Sequence, residues 1–169
     1  MTLATLKELV DLGRLSASAT NAQPLKYVLC SDRQKNSLIF PRLTWARFLT
    51  NWPGPAEGER PSAYILILGD TEISRFWDYD AGIAAQSILL GATEKGLGGC
   101  MIANIDRPGL RGALEIPPRY EILLVLALGK PKEKVVIETV GPDGNTKYWR
   151  DGKGVRHVPK RPLDEIIIG

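Results

Sequence analysis

Two short runs, Ala63 to Leu68 (AYILIL) and Glu121 to Leu128 (EILLVLAL), are apolar at almost every position and end at Gly69-Asp70 and at Gly129 with Pro131. A strand with one wet face alternates apolar and polar residues, so runs without alternation predict strands buried on both faces. A sheet made of such strands needs covering layers. The stretch between them supplies one: Tyr79 to Lys95 (YDAGIAAQSILLGATEK) has small or apolar residues on nearly all sides. That pattern predicts a helix lying inside the molecule or in a subunit interface, closed by Gly96 as its C-cap. Strands alternating with helices give an α/β or α+β class, in two layers or three.

The rest of the chain is read around this frame. Leu6, Leu9, Val10, Leu12 and Leu15 recur at helical spacing over Thr5 to Leu15. The helix runs into SASATNAQP, a loop of small, hydroxylated and amide side chains closed by Pro24. LKYVLCS predicts a strand, and RQKNSLIFPRLTWARFL a helix interrupted or restarted at Pro41. Asn51 to Pro61 is loop, and Arg107 to Leu114 is a short helix with Asp106 as N-cap and Pro108 in its first turn. Beyond Lys132 the chain has little core of its own: a turn at GPDGN, a hairpin around YWRDGKGVRHV, and a terminal strand at Asp164 to Ile168.

A length of 169 residues makes one domain, 1–169, the default, because chains usually divide only above roughly 250 residues. With 44% hydrophobic and 24% charged residues, the composition excludes disorder, collagen and coiled coil. The net charge of +3 is too small and too dispersed to make nucleic acid the leading partner, while a bound anion stays compatible. Asp143 and Asp151 interrupt the basic tail and argue against nucleic acid again. Cys30 and Cys100, with one histidine in the chain, form neither a zinc spacing nor a disulfide framework and are expected as reduced thiols, with no metal. No positively charged leader precedes the first apolar run, and no apolar stretch reaches about 18 residues. A cytoplasmic protein without a membrane segment is therefore expected.

Common catalytic signatures are absent. Gly96-Leu97-Gly98 closes a helix and lacks the third glycine of a dinucleotide fingerprint, and no G-x-x-x-x-G-K-[ST] occurs. A Ser-His-Asp hydrolase would have to use His157, yet no G-x-S-x-G presents a serine. His157 reads instead as a partly exposed tail residue.

Three segments in order carry a resemblance: RLSASATNAQPLKYVL (Arg14 to Leu29), DAGIAAQSILLGATEKGLGGCMI (Asp80 to Ile102) and EILLVLALGKPKE (Glu121 to Glu133). Together they resemble the FMN-dependent nitroreductase family, in its compact, short-chain branch. There a first helix leads into a small-Ser-x-x-Asn-x-Gln-Pro loop, followed by a D-x-G-x-A-x-Q helix and a G-L-G-[small]-C turn. The tail YWRD-x-x-GVRHVPKRPLDEII extends the likeness over nearly the whole chain. The resemblance implies an α+β fold, an α/β three-layer sandwich whose central, mostly antiparallel sheet is flanked by helices. It also implies a homodimer in which the C-terminal strand is exchanged between subunits and each site takes residues from both.

FMN presents a phosphate, a ribityl chain of hydroxyls and a flat ring with one polar and one apolar end. Ser16, Ser18, Thr20 and Asn21 offer short donors and acceptors for ribityl or phosphate oxygens, and Gln23 could read the pyrimidine edge. The same hydroxyls could merely bond their own backbone in a turn that caps the first helix. By the resemblance, the backbone at Gly98 and Gly99 lies at the reactive edge of the flavin. A Schellman-type stop would equally explain these glycines. Cys100 would sit near the ring as a small buried hydrophobe, not a nucleophile. Gly82 and Gly91 read as permitting tight helix packing. Lys160 and Arg161 match the family's basic pair for the phosphate, an Arg fork beside a Lys point charge, with Arg14 able to join them. A solvated tail pair and a helix-end arginine are the plainer readings of these three. Two departures stand out: the usual Arg-Ser-x-Arg segment ahead of the first helix is missing, and Leu25 replaces the aromatic that commonly follows Gln-Pro. Phosphate affinity then rests on Lys160, Arg161 and one of Arg14, Lys26 or Arg47.

The function implied is transfer of a hydride from NAD(P)H through flavin N5 to a small flat acceptor, nitroaromatic or quinone, in a ping-pong scheme that uses no protein nucleophile. A flavin-binding or ligand-binding carrier or sensor without efficient turnover is the alternative, motivated by the missing arginines. The acceptor pocket is expected from the Leu43 to Arg60 loop. There Trp45, Phe48 and Trp52 either stack on a planar substrate or are buried against the core.

Overall fold

The computed structural model describes residues 1–49 and 52–169. Their contacts form two compact units, Met1–Thr44 with Pro55–Pro131 and Trp45–Gly54 with Lys132–Gly169. Each is considered in turn.

The first unit contains helices α1 (Leu3–Arg14), α2 (Arg33–Ile39), α3 (Asp78–Glu94) and α4 (Arg107–Ala113) and strands β1 (Leu25–Cys30), β2 (Ala63–Asp70), β3 (Gly98–Ile102) and β4 (Tyr120–Gly129). The strands make one antiparallel sheet in the order β1-β2-β4-β3. All eight residues of β2 are buried, as a strand apolar at every position requires. Ala63, Ile65 and Ile67 join Leu6 and Leu9 of α1 and Ala81, Ala85, Ile88 and Ala92 of α3 in one cluster. Strand alternation sends Tyr64, Leu66 and Leu68 to the opposite face, where they are buried too. The sheet is thus covered on both sides, and of the α/β and α+β classes that the apolar runs left open, α+β is the one observed.

Local signals account for the helix ends. Thr2 caps α1 by accepting from the Thr5 amide, Asp32 caps α2 through Lys35 N, and Asp106 caps α4 through Gly109 N with Pro108 in the first turn. Helix α3 closes in a Schellman motif: Leu97 N donates to Ala92 O, Gly96 N donates to Thr93 O, and Gly96 has φ +68. Helices α1 and α3 cross closely because a Cβ on Gly91 would stand 2.1 Å from Leu12 Cδ1. Gly91 therefore serves packing as expected, whereas Gly82 faces open space and is exposed. One extra residue in β4 shifts the register opposite Ile67 and Leu68. There Arg107 donates to the carbonyls of Ile122 (2.8 Å) and Leu123 (3.2 Å), supplying partners where the ladder is disrupted.

The second unit holds β5 (Val135–Thr139), β6 (Trp149–Arg150), β7 (Arg156–Lys160) and α5 (Leu163–Ile166). Its sheet runs β5-β7-β6, with β5 parallel and β6 antiparallel to β7. The hairpin around YWRDGKGVRHV is present as β6 and β7. The sheet has one strand more than the sequence predicts, and two expectations are corrected. The parallel β5 was not foreseen, because a parallel partner more than a dozen residues away leaves no local turn signal. The terminal strand at Asp164 to Ile168 is not formed; Leu163–Ile166 is one helical turn. Asp164 and Glu165 in its first turn and the Arg161–Glu165 ion pair four residues apart favour helix. After Pro41 the helix does not restart within the described residues: Phe40–Arg42 is a single 3-10 turn and Leu43 is extended. Thr50 and Asn51, part of the expected acceptor loop, lie outside the described residues.

Candidate functional site

The polar loop after α1 is fastened to α3 at two points. Ser18 donates to Asp80 Oδ2 at 2.5 Å and Ala19 N donates to Asp80 Oδ1 at 3.0 Å. Ser16 donates to Ser87 Oγ at 2.8 Å while also lying 3.0 Å from Leu12 O. Asp80 and Ser87 are seven residues apart, two helical turns, so both side chains stand on the side of α3 that meets the loop. Asp80 is 3% exposed, and its carboxylate is compensated by these neutral donors. A buried acid pays for its desolvation only when such donors are held in place, so the loop and the helix define each other. The phenol of Tyr27 is pushed up, first by its own burial and then by the Asp80 charge.

Beyond this anchor the backbone is strained. Thr20, Asn21 and Gln23 all adopt left-handed conformations, at φ 53, 55 and 52. Asn tolerates that region, but a β-branched Thr does not adopt it without cost, on the order of 1–3 kcal/mol. Gln23 N donates to Ser18 Oγ at 2.9 Å, Thr20 Oγ1 donates to Ala19 O, and Gln23 Nε2 donates to Asn21 O at 3.2 Å. The result is a short turn whose Asn21 and Gln23 carboxamides are exposed. Ser16 and Ser18, predicted as cofactor donors, already bond within the chain, whereas the Asn21 and Gln23 carboxamides are exposed and Gln23 gives only one bond, from Nε2, to the turn itself. Arg14 stands at the end of α1, exposed and paired with Asp11 at 2.7 Å.

Gly98, Gly99 and Cys100 are brought against the same helix. They begin β3, the outer strand of the sheet, opposite Gly129, Leu128 and Ala127 of β4. The turn glycine is Gly96, not this pair. A Cβ on Gly99 would lie 2.6 Å from Leu128 Cδ2, 2.8 Å from Ala127 O and 2.8 Å from Leu89 Cδ2 of α3. Its missing side chain is therefore demanded by packing. Cys100 is exposed, which corrects the expected buried hydrophobe: an edge strand is covered on one side only, whereas Cys30 on β1 is fully buried and its thiol is pushed up to about 11 by that burial.

Lys160 and Arg161 belong to the second unit, at the end of β7 and just after it. Both are exposed, and Arg161 is paired with Glu165. Phe48 lies edge-on to Tyr148 at 5.1 Å and Arg150 sits over the Trp52 ring at 5.0 Å, so these two aromatics of the expected acceptor loop pack within that unit. The sequence reading matched Asp80 to a family position without seeing its task. The sequence holds a weak signal for it, since Asp80 is one of three acids in α3 and lies where the helix turns small and apolar.

The donors fit FMN in kind: two exposed carboxamides on a constrained turn, a strand edge opened by glycine, and two exposed cations. Comparison with known proteins points the same way. The model described as the nitroreductase family matches residues 1–130. A protein of Archaeoglobus fulgidus, named NADH dehydrogenase/NAD(P)H nitroreductase, is 26% identical over 137 residues, 76% of this chain and 74% of that protein. The crystal structure of a protein of that name from Bacteroides thetaiotaomicron aligns with TM-score 0.64 at 26% identity, over 79% of this chain and 77% of the other. An FMN-dependent nitroreductase from Clostridium difficile aligns with TM-score 0.62 at 24% identity, over 79% of each chain, and speaks for the fold.

Proposed function

The chain belongs to the nitroreductase family, and on that premise we propose that it is an FMN-dependent oxidoreductase using NAD(P)H. The observation that carries this reading is the strained Thr20–Gln23 turn, held by a buried carboxylate and presenting exposed carboxamides. Backbone strain persists only where the surroundings over-determine it, and such turns cluster at ligand sites. FMN bound there would supply the redox chemistry, that of a ping-pong exchange between NAD(P)H and a flat acceptor of nitroaromatic or quinone type.

The chain's own residues bind and orient. Asn21 and Gln23 offer amide donors and acceptors to the ribityl chain and the pyrimidine edge. Ser16, Ser18 and Thr20 set the turn that carries them, and the Gly98–Gly99 strand edge lets backbone amides approach a flat ring without an intervening side chain. Cys100 lines that edge. Lys160 and Arg161 supply the counter-charge for the phosphate, with Arg14 near the loop as a further cation. Both units belong to one flavin-binding domain, 1–169, in this reading. The exposed apolar residues of α3, Tyr79, Ile83 and Leu90, support a homodimer with that helix in its interface. No helix among the described residues is long and apolar enough to cross a membrane, which is compatible with the expected cytoplasmic location.

The visible spectrum of the purified protein is the test. Flavin absorption on purification, or after incubation with FMN, is expected, as is bleaching on anaerobic addition of NADH or NADPH. A preparation that stays colourless after incubation with excess FMN refutes the assignment. A yellow protein that neither nucleotide bleaches points to the carrier or sensor.

A further inference from the structure

The chain's one histidine lies in β7, the middle strand of the tail sheet, with Val136 of β5 and Trp149 of β6 beside it in register. Its Nδ1 is 2.5 Å from Glu138 Oε1 and its Nε2 is 3.5 Å from Asp151 Oδ2. The ring stacks on Trp149 with 4.1 Å between centroids and 7° between planes, and 15% of the side chain is exposed. A neutral imidazole has one donor and can serve one of these carboxylates. The imidazolium has two donors and serves both, and an indole face favours a cation beside it.

The other charges nearby do not offset this. On β6 and β7, Arg150 and Arg156 alternate to the opposite face of the sheet from Trp149 and His157. Both are bound there to Glu133, Arg156 at 3.1 Å. Lys153 meets Asp151 through its backbone amide. Glu138 on β5 and Asp151 in the turn after β6 are therefore the charges that face the ring.

The three partners come from three different segments. Asp151 also accepts from the amides of Lys153 (2.9 Å) and Val155 (2.8 Å), closing the turn between β6 and β7. Glu138 is followed by Thr139, the register partner of Lys160, and Val140 N donates to Lys160 O at 2.9 Å. His157 thus ties the strand that ends in Lys160 to both of its neighbours, three residues before that lysine.

We propose that His157 is a proton-operated positioning residue: its imidazolium, gripped by Glu138 and Asp151 against Trp149, holds β7 so that Lys160 and Arg161 stay placed for a phosphoryl group. The inference rests on the reading that this pair binds the phosphate of FMN. The shift in His157 is upward, led by the bond to Glu138. A raised value means that the stabilisation is complete below the ordinary histidine range, about 6.5, and is lost as pH rises through the folded value. Preference for FMN over riboflavin, which lacks the phosphate, should then decline as pH rises through the folded value. The second ionisation of a phosphate monoester, at about 6, falls earlier and acts in the opposite direction.

The test uses the full chain. Affinities for FMN and for riboflavin are measured by fluorescence titration from about pH 6 to about pH 9, bracketing a raised histidine, and the single histidine is titrated by NMR in parallel. The FMN-to-riboflavin ratio is expected to fall by roughly tenfold, the worth of one charge-assisted contact, with the midpoint of the histidine. In His157→Gln the ratio should be low and flat. In Asp151→Asn the histidine midpoint and that of the ratio should move down together, which keeps the test available where the glutamine variant fails to fold. A ratio that ignores the histidine titration, or a His157→Gln profile like that of the parent, overturns the proposal. Lys160→Met separates the two ideas: if it leaves the FMN-to-riboflavin ratio intact, the phosphate reading falls and this inference with it. If it lowers the ratio while His157→Gln does not, only the present inference falls.

Discussion

Removing the Asp80 carboxylate should unfasten the polar loop from α3 more than any other single change in the first unit. Asp80→Ala strands the Ser18 hydroxyl and the Ala19 amide, which now donate to it at 2.5 and 3.0 Å. A buried donor left without a partner costs about 1–3 kcal/mol. Ser18 can turn its proton elsewhere and Ala19 is exposed, so water reaches part of what is lost and the sum to expect is about 1–3 kcal/mol. That range includes relief of whatever the 3% exposed acid now pays for its burial. Asp80→Asn keeps one acceptor for Ala19 N, but its NH2 replaces the oxygen to which Ser18 now donates, so that hydroxyl loses its acceptor; about half the loss is expected. Urea melts of both variants give the totals, and a double-mutant cycle with Ser18→Ala isolates the pair. The coupling should exceed about 1 kcal/mol, because groups in one hydrogen-bond network do not act additively. The loop variants should also release FMN faster in proportion to the stability lost. If the two changes proved additive within about 0.5 kcal/mol, the idea that Asp80 holds the turn would be wrong.

Three further outcomes follow from the geometry. Gly99→Ala inserts a methyl group against Ala127 O and the ends of Leu128 and Leu89; overpacking of this kind costs about 1–3 kcal/mol, which calorimetry should show as a Tm lowered by roughly 2–4 °C per kcal/mol. Native protein should react with a thiol reagent at Cys100 alone and denatured protein at both cysteines, since Cys100 is exposed while Cys30 is buried with its thiol pushed up; rapid loss of two thiols in the native state would contradict the fold. Arg119 grips the buried Asp70 through two bonds of 2.7 Å and holds its carboxyl below the usual range. A lowered value contributes stability that is present above the ordinary carboxylate pKa, about 3.9, and is lost as pH falls through the folded one. Melting temperatures followed into acid should therefore drop less steeply in Arg119→Met than in the parent.

What the sequence discloses and what it withholds divide along a physical line. The buried strands, the small and apolar helix, its stop at Gly96 and the cap at Asp106 depend on residues within a few positions of one another. Composition and spacing therefore suffice to read them. The β5–β7 pair joins segments whose register is set by contacts across about twenty residues, and the terminal helical turn is favoured by the Arg161–Glu165 pair. Neither leaves a periodic trace. The candidate site shows the same division. Its residue types were legible, but the division of labour was not: Ser16 gives its hydroxyl to Ser87 and Ser18 to Asp80, both on α3, and nothing within a few positions of either serine marks those partners.

That division bears on how the site tolerates change. In the loop, the groups that face outward, Asn21 and Gln23, are exposed and make few bonds within the chain, whereas those that set their position are buried or doubly bonded. Substituting an outward amide should therefore alter ligand affinity and leave folding nearly untouched, since exposed positions away from caps and networks usually move stability by no more than about 0.5 kcal/mol. Substituting Ser18 or Asp80 should move both together. Asn21→Ala is the critical comparison, because Ala also loses the carboxamide's tolerance for the left-handed backbone at φ 55. Asn21→Gly removes the same amide but relieves that strain. If the amide itself binds, both variants should weaken FMN equally while only the alanine lowers Tm. If the turn's shape alone matters, the glycine variant should bind as the parent does, and Asn21 would leave the list of ligand groups.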